Sequence, residues 1–430
     1  MYTATNERAF YVAGNKLYEF FVDGTNIFRG ALNTVSGIVN MADNGYQLIL
    51  VDGTKGYIFT FNDNTFETIT DIHFPAESTM VIYQNDYFIV NGVIIDDTTG
   101  KVSANIFALS ALLDGLKWTD ATGQPVWFQN HNSGDPVTGI INTNAYIWIF
   151  GQQSSQAWYN DGTTPYSPIG GTFSAIGLQA PYSLAKLNDV IFFLGSSKDG
   201  FGQIYKSTQG YTFQKISTYP IEKDINSYVN PQDAIAFTYQ ENGHYFYVLT
   251  FLTDNKTWVY DNTENQWHER CTVNSTTNKN QIWAYLTSCF AFNKNFTAGL
   301  YSAQIFELSS NIYTDNGKNV LRERAASVIF DDNMYNFLFY KSFQIDINPG
   351  IGLTTGQGSD PQIMLQFSKD GGHTWSYERW KSLGKIGKYL TRTKWYQLGI
   401  ARNMVFRVRV SDSVNAALIN AVVDATVGLT

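Results

Sequence analysis

The residue types that most often carry catalysis or bind metal ions are sparse and scattered in this 430-residue sequence. Its five histidines show none of the spacings typical of metal ligands, so we expect no metal site. Adjacent carboxylates at 96–97 and 331–332 lie in turn-forming stretches, where solvated caps are far commoner than acid–base pairs. No nucleophile stands near a plausible base, and we therefore expect neither a catalytic constellation nor a cofactor. The histidines are His73, His131, His244, His268 and His373.

The sharpest local motif covers residues 368–375, SKDGGHTW, which fits the pattern S-x-D-x-G-x-T-W known as the Asp box. Its serine and aspartate side chains can satisfy backbone amides in a turn, and its glycines permit unusual dihedral angles. We expect a structural hairpin clamp whose tryptophan is anchored in the core, so that Trp375→Ala would cost roughly 3 to 5 kcal/mol of stability. The motif residues are Ser368, Asp370, Gly372, Thr374 and Trp375.

A basic run at 381–402 places lysines and arginines among aromatic and aliphatic residues in a β-rich context. Two interpretations stay open, a solvated sheet face or an electrostatic contact for phosphate or for an acidic neighbour. The net charge of −8 disfavours a surface that grips nucleic acid by counterion release. We therefore expect the central cations to contact a neighbouring subunit or another protein. These candidate contact residues are Lys385, Lys388, Arg392 and Lys394.

The elements that must position these residues are mainly β-strands, because the chain holds 30 Phe, 27 Tyr and 10 Trp but only 15% charged residues. The stretch 244–269 contains two β-rich runs, two polar turns and a closing tryptophan. A single hairpin cannot bury its apolar face alone, so copies of this unit should stack. The seven predicted hairpins pair 8–12 with 16–20, 46–51 with 57–61, 87–90 with 93–95, 145–150 with 157–159, 190–194 with 203–206, 244–251 with 257–260, and 286–292 with 304–308.

The return strands of these hairpins follow one another at steps of about 36 to 64 residues, around the ~40 to 50 expected of four-stranded propeller blades. After about residue 325 the strands become longer, which is typical of a sandwich. The sequence therefore predicts an all-β protein with an irregular β-propeller of six or seven blades at 1–325 and a C-terminal β-sandwich platform domain at 326–430. We expect only short connecting helices near 36–42 and 220–228.

The sequence also disfavours two classes of protein, those that span or cross a membrane and those held together by disulfide bonds. No apolar run is long enough to span a bilayer, and Glu7 and Arg8 occupy the place where a signal peptide needs its apolar core. Cys271 and Cys289 are too few for a disulfide framework, so we expect free thiols. These features predict a soluble, unexported protein without stable membrane insertion.

Several segments together resemble the packaged-DNA stabilisation proteins of short-tailed phages, also called tail hub or nozzle proteins. The segments are MADNG at 41–45, APYSLAKL at 180–187, FYVLTF at 246–251, TWVYD at 257–261, WHER at 267–270, YTDNG at 313–317, GLTTGQGSDPQ at 352–362, DGGHTWS at 370–376 and LGKIG at 383–387.

The resemblance implies a hexameric ring in the virion tail, assembled in the host cytoplasm below the portal and its head-to-tail adaptor. Its partners would include tail fibres, tailspikes or a tail needle, and DNA would be retained and then conducted through its lumen without sequence specificity. Relatives of this kind usually carry an additional N-terminal segment, and the resemblance therefore implies that this segment is either missing from the given sequence or dispensable.

Two other functions stay open. A sialidase-like propeller glycosidase would need an arginine cluster and a Tyr-Glu pair in a central pocket. Arginines occur at Arg270, Arg322 and Arg324, but only one full Asp box occurs, where such enzymes usually repeat it. A carbohydrate-binding propeller would expose Trp and Tyr near its loop tips. Fold alone does not separate these readings, because propellers host many functions.

Overall fold

The chain folds into two compact units, Met1–Ser309 and Ser310–Thr430, which consist almost entirely of β-strands. The computed structural model describes residues 1–95, 102–130, 134–162, 165–198, 200–273, 280–300, 304–331 and 336–428.

The predicted repeat is visible in residues 244–269. His244–Phe251 pairs with Lys256–Asp261, which in turn pairs with Gln266–Glu269. The two turns place Asn255 and Asn265 at φ of 54° and 55°, a left-handed conformation that asparagine adopts more readily than most residues. Local turn chemistry and aromatic, β-branched strands thus produce an antiparallel meander.

Seven such meanders form seven sheets in the described part of the first unit, and we number them as blades 1 to 7 in chain order. Blade 1 contains Tyr2–Thr3, Ala9–Ala13, Lys16–Phe20 and Asn26–Ala31; blade 2 contains Asn40–Asp43, Gln47–Val51, Gly56–Thr60 and Thr65–Thr68; blade 3 contains Val81–Gln84, Tyr87–Ile95, Val102–Leu109 and Trp127–Gln129. Blade 4 contains Gly139–Asn142, Ile147–Phe150, Ser155–Tyr159 and Ser167–Pro168; blade 5 contains Ile176–Leu178, Ala185–Leu187, Val190–Ser197, Gly200–Thr208 and Thr212–Lys215. Blade 6 contains Ile235–Glu241, His244–Phe251, Lys256–Asp261 and Gln266–Glu269; blade 7 contains Tyr285–Ala291, Lys294–Gly299 and Ile305–Leu308.

Hydrophobic side chains join each blade to the next, because successive residues of a strand point to opposite faces of its sheet. Phe107 of blade 3 contacts the Trp158 ring of blade 4 at a centroid distance of 5.2 Å, and Phe192 of blade 5 stacks on Tyr247 of blade 6 at 5.2 Å. Similar clusters connect the other neighbouring blades. Burying one such ring contributes about 1.5 to 3 kcal/mol.

Blade 7 packs against blade 1 and closes the ring of sheets. The buried Phe20 ring lies 5.8 Å from Phe292 and 5.6 Å from Phe296, both in edge-to-face geometry. The terminal amine of Met1 also donates a hydrogen bond to Thr287 Oγ1 at 3.2 Å. The first unit is therefore a closed seven-bladed propeller, which confirms the predicted fold class.

A buried ion cluster links blades 1 and 2. The Glu19 side chain is 3% exposed and lies 2.7 Å from Arg8 Nη2 and 2.6 Å from Arg29 Nη2. Burial raises the pKa of Glu19, but the hydrogen bonds and charges of the two arginines outweigh that effect and lower it below the ordinary value. Arg8 also donates to the Phe61 carbonyl of blade 2 at 3.0 Å.

The second unit is a sandwich of two antiparallel sheets. Phe343 of one sheet stacks on Phe406 of the other with centroids 4.5 Å apart, and Trp395 and Leu365 complete the buried centre. One sheet contains Arg322–Ala325, Ile329–Phe330, Gln362–Ser368, Arg379–Ser382 and Asn403–Val410; the other contains Leu338–Ile347, Thr393–Ala401 and Leu418–Val427.

Short elements connect these sheets. None of the helices in the described residues is long and apolar enough to span a membrane. The helices are Tyr219–Ile225, with 3-10 turns at Pro181–Ser183 and Pro231–Asp233; the ribbons are Cys271–Val273 with Asn280–Ile282, and Thr314–Asp315 with Lys318–Asn319.

Two predicted hairpins are wrong. Tyr87–Ile95 is one continuous strand with a bulge at Gly92, where a Cβ atom would lie 2.7 Å from the Ala76 carbonyl oxygen. The glycine serves close backbone approach rather than a turn. In blade 7, Lys294–Gly299 lies between the two strands that the sequence pattern pairs directly.

Two further predictions, a short helix at 36–42 and the boundary between the two units, also differ from the structure. Residues 36–42 form no helix, because Asn40–Asp43 is a strand that buries Met41 and Ala42 between sheets. The units divide after Ser309 rather than after residue 325, since Arg322–Ala325 pairs with a strand of the sandwich.

Candidate functional site

The Asp box forms a self-contained turn after the strand Gln362–Ser368. Ser368 Oγ accepts a hydrogen bond from Gly372 N at 2.8 Å, and Asp370 Oδ1 accepts one from Thr374 N at 2.9 Å. Gly372 has a φ of 102°, a value that L side chains rarely adopt. Hydrogen bonds from Ser368 and Thr374 hold the pKa of Asp370 well below its ordinary value. The Asp370 carboxylate accepts hydrogen bonds from Ser368 and Thr374 within the hairpin, which is what a structural clamp requires.

Trp375 lies outside the buried core, in contrast to the sequence expectation. Its ring is half-buried, and the guanidinium carbon of Arg407 lies 3.8 Å from the ring centroid. Arg407 is held in turn by a hydrogen bond from Nη2 to Gln366 Oε1 at 2.7 Å. The indole therefore anchors the hairpin through a cation–π contact at the edge of the sandwich.

This placement lowers the expected cost of truncating Trp375. We expect Trp375→Ala to destabilise the sandwich by about 1 to 2 kcal/mol, since a cation–π contact and partial burial are lost. Chemical denaturation of the full chain would measure the loss. Trp395→Ala, at a ring that is 3% exposed, is the matched control and should cost about 3 to 5 kcal/mol. Equal losses in the two variants would contradict the cation–π assignment.

The predicted contact residues lie in and beside one loop. Residues 384–392 connect the strands Arg379–Ser382 and Thr393–Ala401, and we call them the cationic loop. Lys385, Lys388 and Arg392 are exposed in this loop.

Lys394 lies just beyond the loop, half-buried on the strand, with its Nζ 5.3 Å from the centroid of the Tyr396 ring. None of these four cations forms an ion pair with any residue that the structure describes. The structure thus groups three of the four on one exposed turn.

The cationic loop is a defined structure supported by the glycine-rich segment at 350–361. Lys388 N donates to the Lys385 carbonyl at 2.9 Å, and Gly350 N donates to the Leu383 carbonyl at 3.3 Å. A Cβ atom at Gly350 would lie 2.7 Å from the Tyr389 ring, so only glycine lets the two segments pack this closely. The charged tip is therefore held in place.

The loop also presents apolar side chains that sequence reasoning missed. Ile386 is 58% exposed, Tyr389 is 67% exposed and Leu390 is 99% exposed. Their alternation with cations in KIGKYLTR, residues 385–392, is the sequence signal for such a mixed surface. A rigid turn with three exposed large side chains and unpaired cations has the character of a protein contact.

Two of the three arginines named for a glycosidase are engaged in structural contacts. Arg270 lies among aromatic rings of the propeller, 4.8 Å from the Trp283 centroid, and Arg322 donates to the Val414 carbonyl at 2.6 Å. Arg324 is exposed on the sandwich strand Arg322–Ala325. The contacts of Arg270 and Arg322 hold these two side chains within the propeller and within the sandwich, respectively.

Two open grooves were found on the described surface of the propeller. One of about 440 Å³ between blades 3 and 4 is lined largely by aromatic residues, including Trp127 and Tyr166. The other, of about 250 Å³, has Glu77 and no arginine among its described lining residues. Neither has the Arg, Tyr and Glu set of a sialidase.

Histidines and paired carboxylates form no metal-binding cluster in the described parts of the chain. His244 Nδ1 lies 2.7 Å from Asp261 Oδ2, and His73 Nδ1 lies 3.2 Å from Asp71 Oδ1, each as an isolated pair. His131, Asp96, Asp97 and Asp332 lie outside the described residues.

Family models match both units. A model described as "Bacteriophage P22 Gp10, beta-propeller" matches residues 1–313, and one described as "Bacteriophage P22 Gp10, beta-sandwich" matches residues 321–426. None of the curated proteins matches the chain significantly.

Three solved structures are similar to the chain at 10% identity. The N-terminal domain of Nup159 has a TM-score of 0.40, with 69% of this chain and 84% of that chain covered. The WD40 β-propeller domain of Doa1 has a TM-score of 0.42, with 72% and 91% covered. A chain of the Mitotic Checkpoint Complex has a TM-score of 0.41, with 69% and 82% covered.

Proposed function

Because the chain belongs to the bacteriophage P22 Gp10 family, the tail hub proteins that stabilise packaged DNA, we propose that six copies form a ring that holds the genome and conducts it during ejection. The observation that carries this proposal is the tandem match of both family models, in order, to the propeller and the sandwich. As a member of this family, the chain is a component of the virion tail. We further propose that it assembles in the host cytoplasm, below the portal and the head-to-tail adaptor, and receives tail fibres, tailspikes or a tail needle.

The charge distribution supports a role in docking. Residues 1–309 hold 15 Lys and Arg against 27 Asp and Glu, a net charge of −12, whereas residues 310–430 hold 14 against 10, a net charge of +4. A ring that conducts DNA should avoid strong phosphate binding, because each such contact would retard transit. In this proposal the exposed cations of the sandwich serve protein contacts.

The Asp box and the engaged arginines also favour a structural role over catalysis. In the proposed function the chain holds the genome within a ring and catalyses no reaction. The purified protein should therefore hydrolyse sialosides and common glucans no faster than buffer does. Turnover that a single carboxylate substitution abolishes would revive the glycosidase alternative.

Charge reversal of Lys385, Lys388, Arg392 and Lys394 to Glu tests the docking role. We expect assembly onto portal-bearing particles to fall at least about tenfold, because four favourable contacts become repulsive. Affinity for short duplex DNA at moderate salt should stay unchanged. The two measurements are particle occupancy and DNA binding by the same preparations.

A control variant with the same change in net charge separates local from global effects. It reverses four exposed lysines outside the loop and should assemble normally; these are Lys16, Lys55, Lys318 and Lys341. Normal assembly of the loop variant together with lost DNA affinity would instead make the loop a DNA-gripping surface.

A further inference from the structure

The cationic loop needs a partner surface that is both acidic and apolar. Its cations are unpaired among the described residues, and Leu390 is almost fully exposed at its tip. The propeller supplies the opposite charge, since residues 1–309 carry a net charge of −12. A matching surface on the propeller would hold exposed carboxylates next to exposed apolar side chains.

Such a surface lies on blades 1 to 3, where the first and third turns of each meander reach the same end of the propeller. Three of its residues are exposed carboxylates, and none of these forms an ion pair with a described residue. The other two are Tyr46, 61% exposed, and Leu113, 47% exposed. We call this surface the turn patch, and its residues are Glu7, Tyr46, Asp63, Asp86 and Leu113.

Hydrogen bonds show that the blade 1 and blade 2 parts of the turn patch adjoin each other. Arg8 Nη2 donates to Asn64 Oδ1 at 2.6 Å, which joins the turn of Glu7 to the turn of Asp63. Phe61 N donates to the Tyr46 carbonyl at 2.9 Å, which joins the two turns within blade 2.

The blade 3 part is joined to the same surface. Asn44 Nδ2 donates to the Leu113 carbonyl at 3.2 Å, and Leu113 N donates to the Asp86 carbonyl at 2.9 Å. The carboxylates and the two apolar side chains therefore belong to one continuous patch.

We propose that the cationic loop of one copy docks on the turn patch of a second copy. Lys385, Lys388 and Arg392 face carboxylates across this contact, and the apolar tip of the loop covers Tyr46 and Leu113. Charge complementarity between a basic loop and an acidic patch selects the partner, and the apolar residues contribute the buried area. Two different surfaces meet, so the contact is heterologous and closes into a ring when the rotation allows it. The inference rests on the proposed function, because it names the subunit contact of the ring.

Charge exchange in the full chain tests the pairing on portal-bearing particles. Lys385→Glu with Lys388→Glu, and separately Glu7→Lys with Asp63→Lys, should each lower ring assembly by about tenfold. Combining all four changes should restore assembly to within about threefold of wild type, because the opposite charges face each other again. A combined variant as defective as its parents would overturn the proposal.

A cross-link provides a readout that does not depend on charge. In assembled particles, a variant with Leu390→Cys and Leu113→Cys should form covalent oligomers on oxidation, whereas Leu390→Cys with Lys55→Cys should not. Lys55 is exposed in the second turn of blade 2, at the opposite end of that blade. The native Cys289 is buried and Cys271 is half-buried, so their background is measured in the unmodified chain.

The outcomes also separate the two levels of the proposal. Rings that form normally but give no covalent oligomer, or only a link within one chain, would overturn the docking contact and leave the hub function standing. Failure of the wild-type chain to assemble on portal-bearing particles would overturn both.

Discussion

Glu19→Ala is expected to destabilise the propeller by about 3 to 5 kcal/mol. The substitution removes the only carboxylate between Arg8 and Arg29 in the described structure and leaves two partly buried guanidinium groups facing each other. Removing one partner of a buried pair is far more costly than the net worth of the pair, because the remaining charge has lost both solvent and counter-charge. Urea denaturation of the full chain would measure the change in the free energy of unfolding.

The matched control is Glu307→Ala at a surface ion pair. Glu307 and its partner Lys294 are 36% and 49% exposed, so this substitution should cost at most about 1 kcal/mol. Similar losses in the two variants would show that the Glu19 cluster is solvated in solution.

The same cluster makes the free energy of unfolding of the propeller depend on pH. Because the pKa of Glu19 is lower in the folded chain than its ordinary value, the stabilising effect is fully present above that ordinary value. It is lost as the pH falls through the lowered pKa. Glu19→Gln should remove this component of acid destabilisation, which parallel denaturation series at neutral and acidic pH would detect as a shallower loss.

Phe20→Ala should destabilise the propeller by about 3 to 5 kcal/mol. The ring is 4% exposed and lies between Phe292 and Phe296, so truncation leaves a cavity where blade 7 meets blade 1. We expect this boundary to open first during unfolding, which hydrogen exchange of the strands Tyr2–Thr3 and Tyr285–Ala291 would report.

Phe28→Ala on the outer strand of the same blade is the control for Phe20. Its ring is 52% exposed, and the expected loss is about 0.5 kcal/mol. If exchange increased equally at all blade boundaries in Phe20→Ala, the closure would have no special role in stability.

Most of the propeller could be predicted from sequence because its hairpins are encoded locally. The runs on either side of Asn255 are rich in aromatic and β-branched residues, and the turn residue itself tolerates a positive φ. The blade period follows from repetition of this unit. The order of the strands needs little long-range information, since neighbours in the sheet are neighbours in the chain except in blade 5, where Ile176–Leu178 and Ala185–Leu187 both pair with Val190–Ser197.

The errors occur where one local signal has two structural meanings. An Asn-Gly pair predicts a tight turn, but Asn91-Gly92 lies within a strand because Gly92 is needed for close approach to Ala76. Likewise, Lys294–Gly299 was missed because a charged, asparagine-containing run has weak strand propensity. Tertiary packing decides both cases.

The candidate site was only partly accessible to sequence reasoning. The turn chemistry of the Asp box is fully local, so Ser368 and Asp370 could be assigned. The place of Trp375 depends on Arg407, which lies 32 residues later in the chain, and no local pattern connects them. The exposure of Leu390 likewise depends on the support of a distant glycine-rich segment.

The closure between blades 1 and 7 has a consequence for the order of folding. Every blade in the described residues is built from one continuous stretch of chain, so no strand is exchanged between the first sheet and the last. Each blade can therefore form as it leaves the ribosome, but Phe20 finds its partners only after Phe296 has been synthesised. Until then the apolar faces of blade 1 and of the most recently formed blade stay exposed, so the growing chain is an open arc of blades with an uncovered apolar face at each end. The rate of translation up to Phe296 thus sets the time during which two incomplete chains can associate through these exposed faces and misassemble.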